Sequence, residues 1–237
     1  MSKKKKCICI IPARAGSKRI KKKNIKLFFG KPIIGYSIET AIKSKCFDKV
    51  IVSTDSLEIA KISKKYRAEI LFMRPKHLSN DKIPLAPVIK HSINQLRKMN
   101  IDFDNICVLT ATAPILSYLH LKKSLKVFKK NNSKFLASVN LFNYPIQRAL
   151  GLKKRKLFMI DKKNFNTRSQ DLAKTYHDAG QFYWCKSDHF KKNSKILIDD
   201  TTPYLLKNIE SVDIDTPEDW QHAKNIFRIS RRNNTKK

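Results

Sequence analysis

Apolar residues along this chain fall into short runs and helical stripes that alternate. Residues 7–11 form a compact, isoleucine-rich run stopped by Pro12, which reads as a buried strand. Helical spacing follows over residues 33–42, ending near Ser44. Residues 49–54 read as a buried strand ending in Asp55, 57–66 as a helix, and 68–72 as another strand. Leu85, Val88, Ile89, Ile93 and Leu96 make one stripe of a strong helix over 84–99. Residues 105–110 then read as a strand, 119–130 as a helix and 135–141 as a strand. This alternation predicts right-handed crossovers and a mainly parallel sheet, a Rossmann-like, three-layer α/β domain.

The periodicity weakens between residues 142 and 182, where short segments such as 156–160 suggest hairpin strands. A return strand is expected over 182–185 and a closing helix over 217–229, with Pro217 in its first turn and Thr216 as its cap. The polar, basic stretch 231–237 is expected to fray. No composition shift marks a linker, so residues 1–237 read as one domain with 142–181 as an excursion.

Charge changes the picture less than its size suggests. A formal net charge of +32 invites a nucleic-acid reading. The lysines, however, run along the whole chain beside heavy Ile and Asn usage, and no nucleic-acid motif stands out. No specific nucleic-acid partner is expected. Five scattered cysteines with no CxxC pair favour buried thiols in a reducing compartment. Lys3 to Lys6 before an apolar run imitate a signal peptide, but the run is too short and Arg14 interrupts it. With no stretch of membrane-spanning length, a cytoplasmic protein without membrane attachment is expected.

Candidate chemistry begins just after the first strand, where open α/β sheets bind ligands. Arg14, Gly16, Ser17, Lys18, Arg19 and Lys23 crowd this loop. The cations and hydroxyl suit a polyphosphate, and glycine permits close backbone approach. Only five glycines occur in the chain, so this one is read as functional. The loop is not a Walker A motif, because GxxxxGK[ST] is absent. Asp213 and Asp215 would share one side of a strand, as a hard-cation pair or as charges favouring the following helix. Glu218 and Asp219 suit the helix dipole. Thr110 and Thr112 end the 105–110 strand, and Arg74 ends the one before.

The string IPARAGSKRIKKKN (residues 11–24) resembles the amino-terminal signature of the sugar-acid cytidylyltransferases, the enzymes that make CMP-sialic acid and its relatives. Ala15 and Lys21 depart from the usual glycine and proline. The resemblance continues through VIVSTD (50–55), RPKHLSND (74–81), TATAP (110–114) and VDIDTPEDW (212–220). PIQRAL (145–150) and NTRSQDLAKTYHDAGQFYW (166–184) are similar to the pseudaminic acid branch, and Thr110 replaces the glutamine of relatives acting on ordinary sialic acid.

The resemblance implies transfer of CMP from CTP to a nonulosonic sugar acid, with legionaminic and N-acetylneuraminic acids as alternatives to pseudaminic acid. It implies nucleotide contacts from Ala13, Arg14, Ala15, Gly16, Ser17, Lys18, Lys23, Asn24 and Arg74, with Arg14, Lys18 and Lys23 catalytic. Asp213 and Asp215 become catalytic ligands of Mg2+. Thr110, Thr112, Gln147, Arg148, Arg168, Gln170 and Gln181 become sugar contacts, beside His177 and Asp178. The excursion is implied to build a homodimer and to set its residues beside the partner's site.

Overall fold

The computed structural model describes residues 6–192 and 195–234. The chain enters through β1 (Cys7–Pro12), makes a tight hairpin of β2 (Leu27–Phe28) and β3 (Lys31–Pro32), and continues through α1 (Ile33–Ser44), β4 (Lys49–Ser53) and α2 (Leu57–Lys65). Then come α3 (Leu85–Lys98), β5 (Asn105–Leu109), α4 (Tyr118–Lys130) and β6 (Phe135–Leu141). The excursion holds the hairpin β7 (Leu150–Lys153) and β8 (Lys156–Met159). The chain closes with β9 (Tyr176–Lys186), α5 (His189–Lys192), β10 (Thr201–Leu205) and α6 (Pro217–Asn234).

Among the described residues the main sheet has six strands in the order β10-β6-β9-β5-β1-β4. β1 runs parallel to β4 and β5, and β10 parallel to β6, whereas β9 is antiparallel to both β5 and β6. The direction of β9 follows from its approach: it arrives from the excursion without a crossover helix to return it to the sheet's other end. Alternate residues build the two faces. Cys9, Cys107, Leu109, Phe182 and Trp184 pack with residues of α1, α2 and α4 on one side. Ile8, Ile10, Ile106, Val108 and Tyr183 pack with α3 and Phe190 on the other. A third cluster centres on Phe28, whose ring meets Tyr36, Trp220 and Phe227 edge-on and so docks α6 beside α1.

Three expectations need correction, and β10 was not among the elements expected. Residues 68–72 form no strand: Glu69 alone bridges the edge of β4, and Leu71 and Phe72 then pack down against the cluster around α3. β9 begins well before residue 182, its exposed first residues lacking the apolar signal of its buried end. β10 carried no clear strand signal, because Pro203 breaks it; an edge strand tolerates that proline. The stretch expected to fray from residue 231 continues α6 to Asn234. Residues 235–237 and the early lysines 3–5 lie outside the described residues.

Trp184 anchors the middle of the sheet, fully buried between Phe47 and Phe128 with its indole N–H donating to Ser124 Oγ at 2.9 Å. Trp184→Ala should lower unfolding free energy by about 3–5 kcal/mol. Urea denaturation measures this, and an unchanged midpoint would contradict the packing described.

Candidate active site

The parallel strands β1, β4 and β5 end on one edge, so the segments that follow them converge on a cleft of about 250 Å³. Arg14, Ser17, Lys18, Lys23, Asn24, Arg74, Thr110, Thr112 and Asp215 line it. Arg19, Asn80 and the apolar Leu78, Ile83 and Val88 are also in its wall.

The loop after β1 is held open by specific bonds. Ala13 is buried and its N–H donates to the Ser53 carbonyl at 2.9 Å. Ala15 N–H donates to Asp55 Oδ1 at 2.9 Å, and the Arg14 guanidinium donates to the Gly16 carbonyl. Asn24, also buried, donates from Nδ2 to the Arg14 carbonyl at 2.9 Å, so it braces the loop. Gly16 needs no glycine on internal grounds, since the nearest atom to an added Cβ would be an arginine tip at 3.6 Å.

Each loop cation has its own electrostatic setting. Lys18, 79% exposed, reaches Asp81 Oδ2 at 2.8 Å. Lys23 is only 19% exposed and donates to the Ile214 carbonyl at 2.5 Å and to Asp215 Oδ1 at 3.0 Å. Arg19 takes the other oxygen of Asp215 at 2.7 Å. Burial works against the Asp215 carboxylate, but Lys23 and Arg19 outweigh it and hold its pKa below the ordinary value. Arg74 is 5% exposed, donates to the Ser53 carbonyl and keeps Nε buried without a partner among the described residues. Burial lowers its pKa to about 10, with Asp55 opposing and Arg14 adding to the shift, so it stays cationic at neutral pH.

Asp213 and Asp215 depart from the expected strand. They lie in irregular chain between β10 and α6, and Asp215 is clasped by Arg19 and Lys23 of the loop after β1. Asp219 takes up the helix-capping work: its carboxylate accepts from the N–H groups of Asp215 and Thr216, while Thr216 Oγ1 accepts from Asp219 N–H. Asp213 has no hydrogen bond or ion pair among the described residues. Surrounding protein and the nearby Asp215 push its carboxyl up. Lys23 opposes that shift, and a carboxyl without a hydrogen bond beside a second carboxylate fits a hard divalent cation.

The remaining residues divide. Thr110 Oγ1 donates to the Gly180 carbonyl at 2.5 Å, and Thr112 is buried at the cleft wall. Gln181 is buried and does not line the cleft. Gln147, Arg148, Arg168 and Gln170 lie in the excursion and do not line it either. There Gln147 donates to the Ala173 carbonyl, Arg148 to Ser169 and Arg168 to Asp171. His177 and Asp178 are exposed at the start of β9. Arg19 was read only as one of the loop's polyphosphate-suited cations and Asp81 was given no role, because their partners Asp215 and Lys18 are distant in the chain.

Fold and cleft define an α/β protein with a cation-lined cleft at the carboxyl edge of its sheet. Residues 8–233 match the family described as cytidylyltransferase. The chain is 42% identical over 226 residues to the pseudaminic acid cytidylyltransferase of Campylobacter jejuni, covering 95% of this chain and 97% of that protein. It is 36% identical over 210 residues to a Helicobacter pylori protein named as pseudaminic acid cytidylyltransferase and UDP-2,4-diacetamido-2,4,6-trideoxy-beta-L-altropyranose hydrolase, covering 88% of this chain and 40% of that one. The structure of a CMP:2-keto-3-deoxy-manno-octonic acid synthetase complexed with CTP superposes with a TM-score of 0.70 at 14% identity, covering 95% of this chain and 99% of that one. The chain belongs to the cytidylyltransferase family.

Lys23→Met removes both bonds that tie the loop to residues 214–215. It should lower the stability of the ligand-free protein by about 1–3 kcal/mol. Thermal melts check this, and an unchanged midpoint would mean that the clasp is incidental.

Proposed function

We propose that this enzyme transfers CMP from CTP to pseudaminic acid and releases pyrophosphate. The observation that carries this reading is the cationic cleft at the sheet edge, in a chain 42% identical to a pseudaminic acid cytidylyltransferase over nearly its full length. The anomeric hydroxyl of the sugar attacks the α-phosphorus in line. A phosphorus–oxygen bond forms, the bond to pyrophosphate breaks, and the hydroxyl proton is lost. Such chemistry rests on positioning and charge neutralisation.

Arg14, Lys18 and Lys23 bind the triphosphate and stabilise charge growing on the leaving pyrophosphate. Asp81 occupies Lys18 in the meantime, and the entering phosphate replaces it. Gly16 and Ser17 present backbone and hydroxyl to the nucleotide, Ala13, Ala15 and Asn24 fix the loop through their own hydrogen bonds, and Arg74 lines the cytidine side of the cleft. Thr110 and Thr112 face the sugar. Asp213 and Asp215 would hold a magnesium ion, which supplies charge neutralisation and lowers the pKa of the attacking hydroxyl.

The same reading makes the enzyme a cytoplasmic homodimer. All five cysteines are free thiols, as a reducing compartment requires. Residues 142–181 expose Tyr144 (83%), Leu152 (71%) and Leu157 (67%), side chains suited to burial against a second copy. Gln147, Arg148, Arg168 and Gln170 then act on the sugar in the partner's cleft.

Pyrophosphate release from CTP with a panel of sugar acids tests this reading. Pseudaminic acid should be turned over fastest, and equal or faster turnover of legionaminic or N-acetylneuraminic acid would overturn the substrate assignment. Arg14→Ala and Lys18→Ala should each lower turnover by at least about tenfold. Near wild-type turnover of both at saturating CTP would remove the loop from the chemistry.

A further inference from the structure

Gln181 stands where the sequence suggested a sugar contact, but its surroundings fit another role. The residue is 1% exposed. Its amide nitrogen donates to the carbonyls of Ala179 at 2.9 Å and Val212 at 3.1 Å. Two carbonyl oxygens can face only the NH2 end of an amide, so the orientation is chemically fixed. Both donors are used, Oε1 is buried without a partner among the described residues, and no surface remains to meet a sugar. Through Val212, Gln181 ties β9 to the backbone immediately before Asp213.

The chain around it forms a cradle. The pairing of β9 with β6 shifts register between Ala137 and Val139, leaving a bulge between Asp178 and Tyr183. Gly180 lies in this bulge with φ +62°, and a Cβ there would sit 3.1 Å from Asp213 Cγ. Gly180 N–H donates to Asp178 Oδ1 at 2.9 Å, its carbonyl accepts from Thr110, and Asp178 Oδ2 accepts from the Tyr183 hydroxyl at 2.5 Å. Asp213 therefore rests over a bare Cα in a turn pinned from several sides. With no hydrogen bond of its own, its carboxylate is aimed by the backbone that carries it.

We propose that Gln181 is a positioning residue for the divalent cation at Asp213, holding residues 212–213 against the Gly180 bulge so that the free carboxylate faces the same cation as Asp215. This rests on the assignment of Asp213 and Asp215 to the metal. Supporting groups of this kind orient first ligands, and their loss typically weakens metal binding by about 10–100-fold. Glutamine is specifically suited: methionine of similar length donates nothing, and glutamate would set another negative charge near Asp178 and Asp213.

Manganese binding, followed by electron paramagnetic resonance on the CTP-bound protein, separates the possibilities. Asp213→Asn should lose the bound ion. Gln181→Met and Gly180→Ala, each shown to be folded by its thermal melt, should bind manganese about tenfold more weakly or worse. The KM for the sugar acid should stay unchanged in Gln181→Met. Wild-type manganese affinity in either folded variant overturns the inference. A raised sugar KM with unchanged manganese affinity returns Gln181 to the sugar. If Asp213→Asn itself binds manganese like the wild type, the metal assignment fails first and the inference with it.

Discussion

Asp215 sits between two cations of the loop that follows β1, with Lys23 at 3.0 Å on one oxygen and Arg19 at 2.7 Å on the other. These contacts join residues 192 and 196 positions apart in the chain, so they fix how its two ends meet at the sheet's carboxyl edge. Phe28, Trp220 and Phe227 pack alongside this junction and carry α6 into place. A half-buried Lys23 would be costly without a partner, and Asp215 supplies one. The neighbouring Asp213 is left without a hydrogen bond or ion pair among the described residues. Loop cations and carboxylates are thus sorted before any ligand enters.

The second constraint is the direction of β9. Because it runs against its neighbours, its first residues arrive at the edge where β1, β4 and β5 end. Gly180 and Gln181 therefore meet Thr110 from one side and residues 212–213 from the other. A parallel strand in that position would send this end to the opposite edge. The excursion is what permits the reversal, and it leaves apolar side chains exposed beyond the sheet.

Much of this was legible in the sequence, for local reasons. Strands such as β1 and β6 are short apolar runs, and the stripe of α3 announces itself by spacing alone. The loop after β1 was readable because its residues are contiguous and follow a strand. What escaped notice depends on distant partners. Asp213 and Asp215 looked like neighbours on a strand, yet one is clasped by Arg19 and Lys23 and the other rests on Gly180. Glu69 pairs for a single residue, which no periodicity reveals. Gln181 stood among the sugar contacts that the resemblance implies, because nothing local indicates that Ala179 and Val212 use both its hydrogens.

We propose that the loop after β1 and the segment carrying Arg74 and Asp81 together receive the nucleotide. Amide hydrogen exchange with and without saturating CTP tests it most directly, because it locates the ligand without requiring turnover. Slowed exchange over residues 13–25 and 74–83, with little change in the β7–β8 hairpin, is the result this account predicts. Unchanged exchange across 13–25, with protection elsewhere, would contradict it.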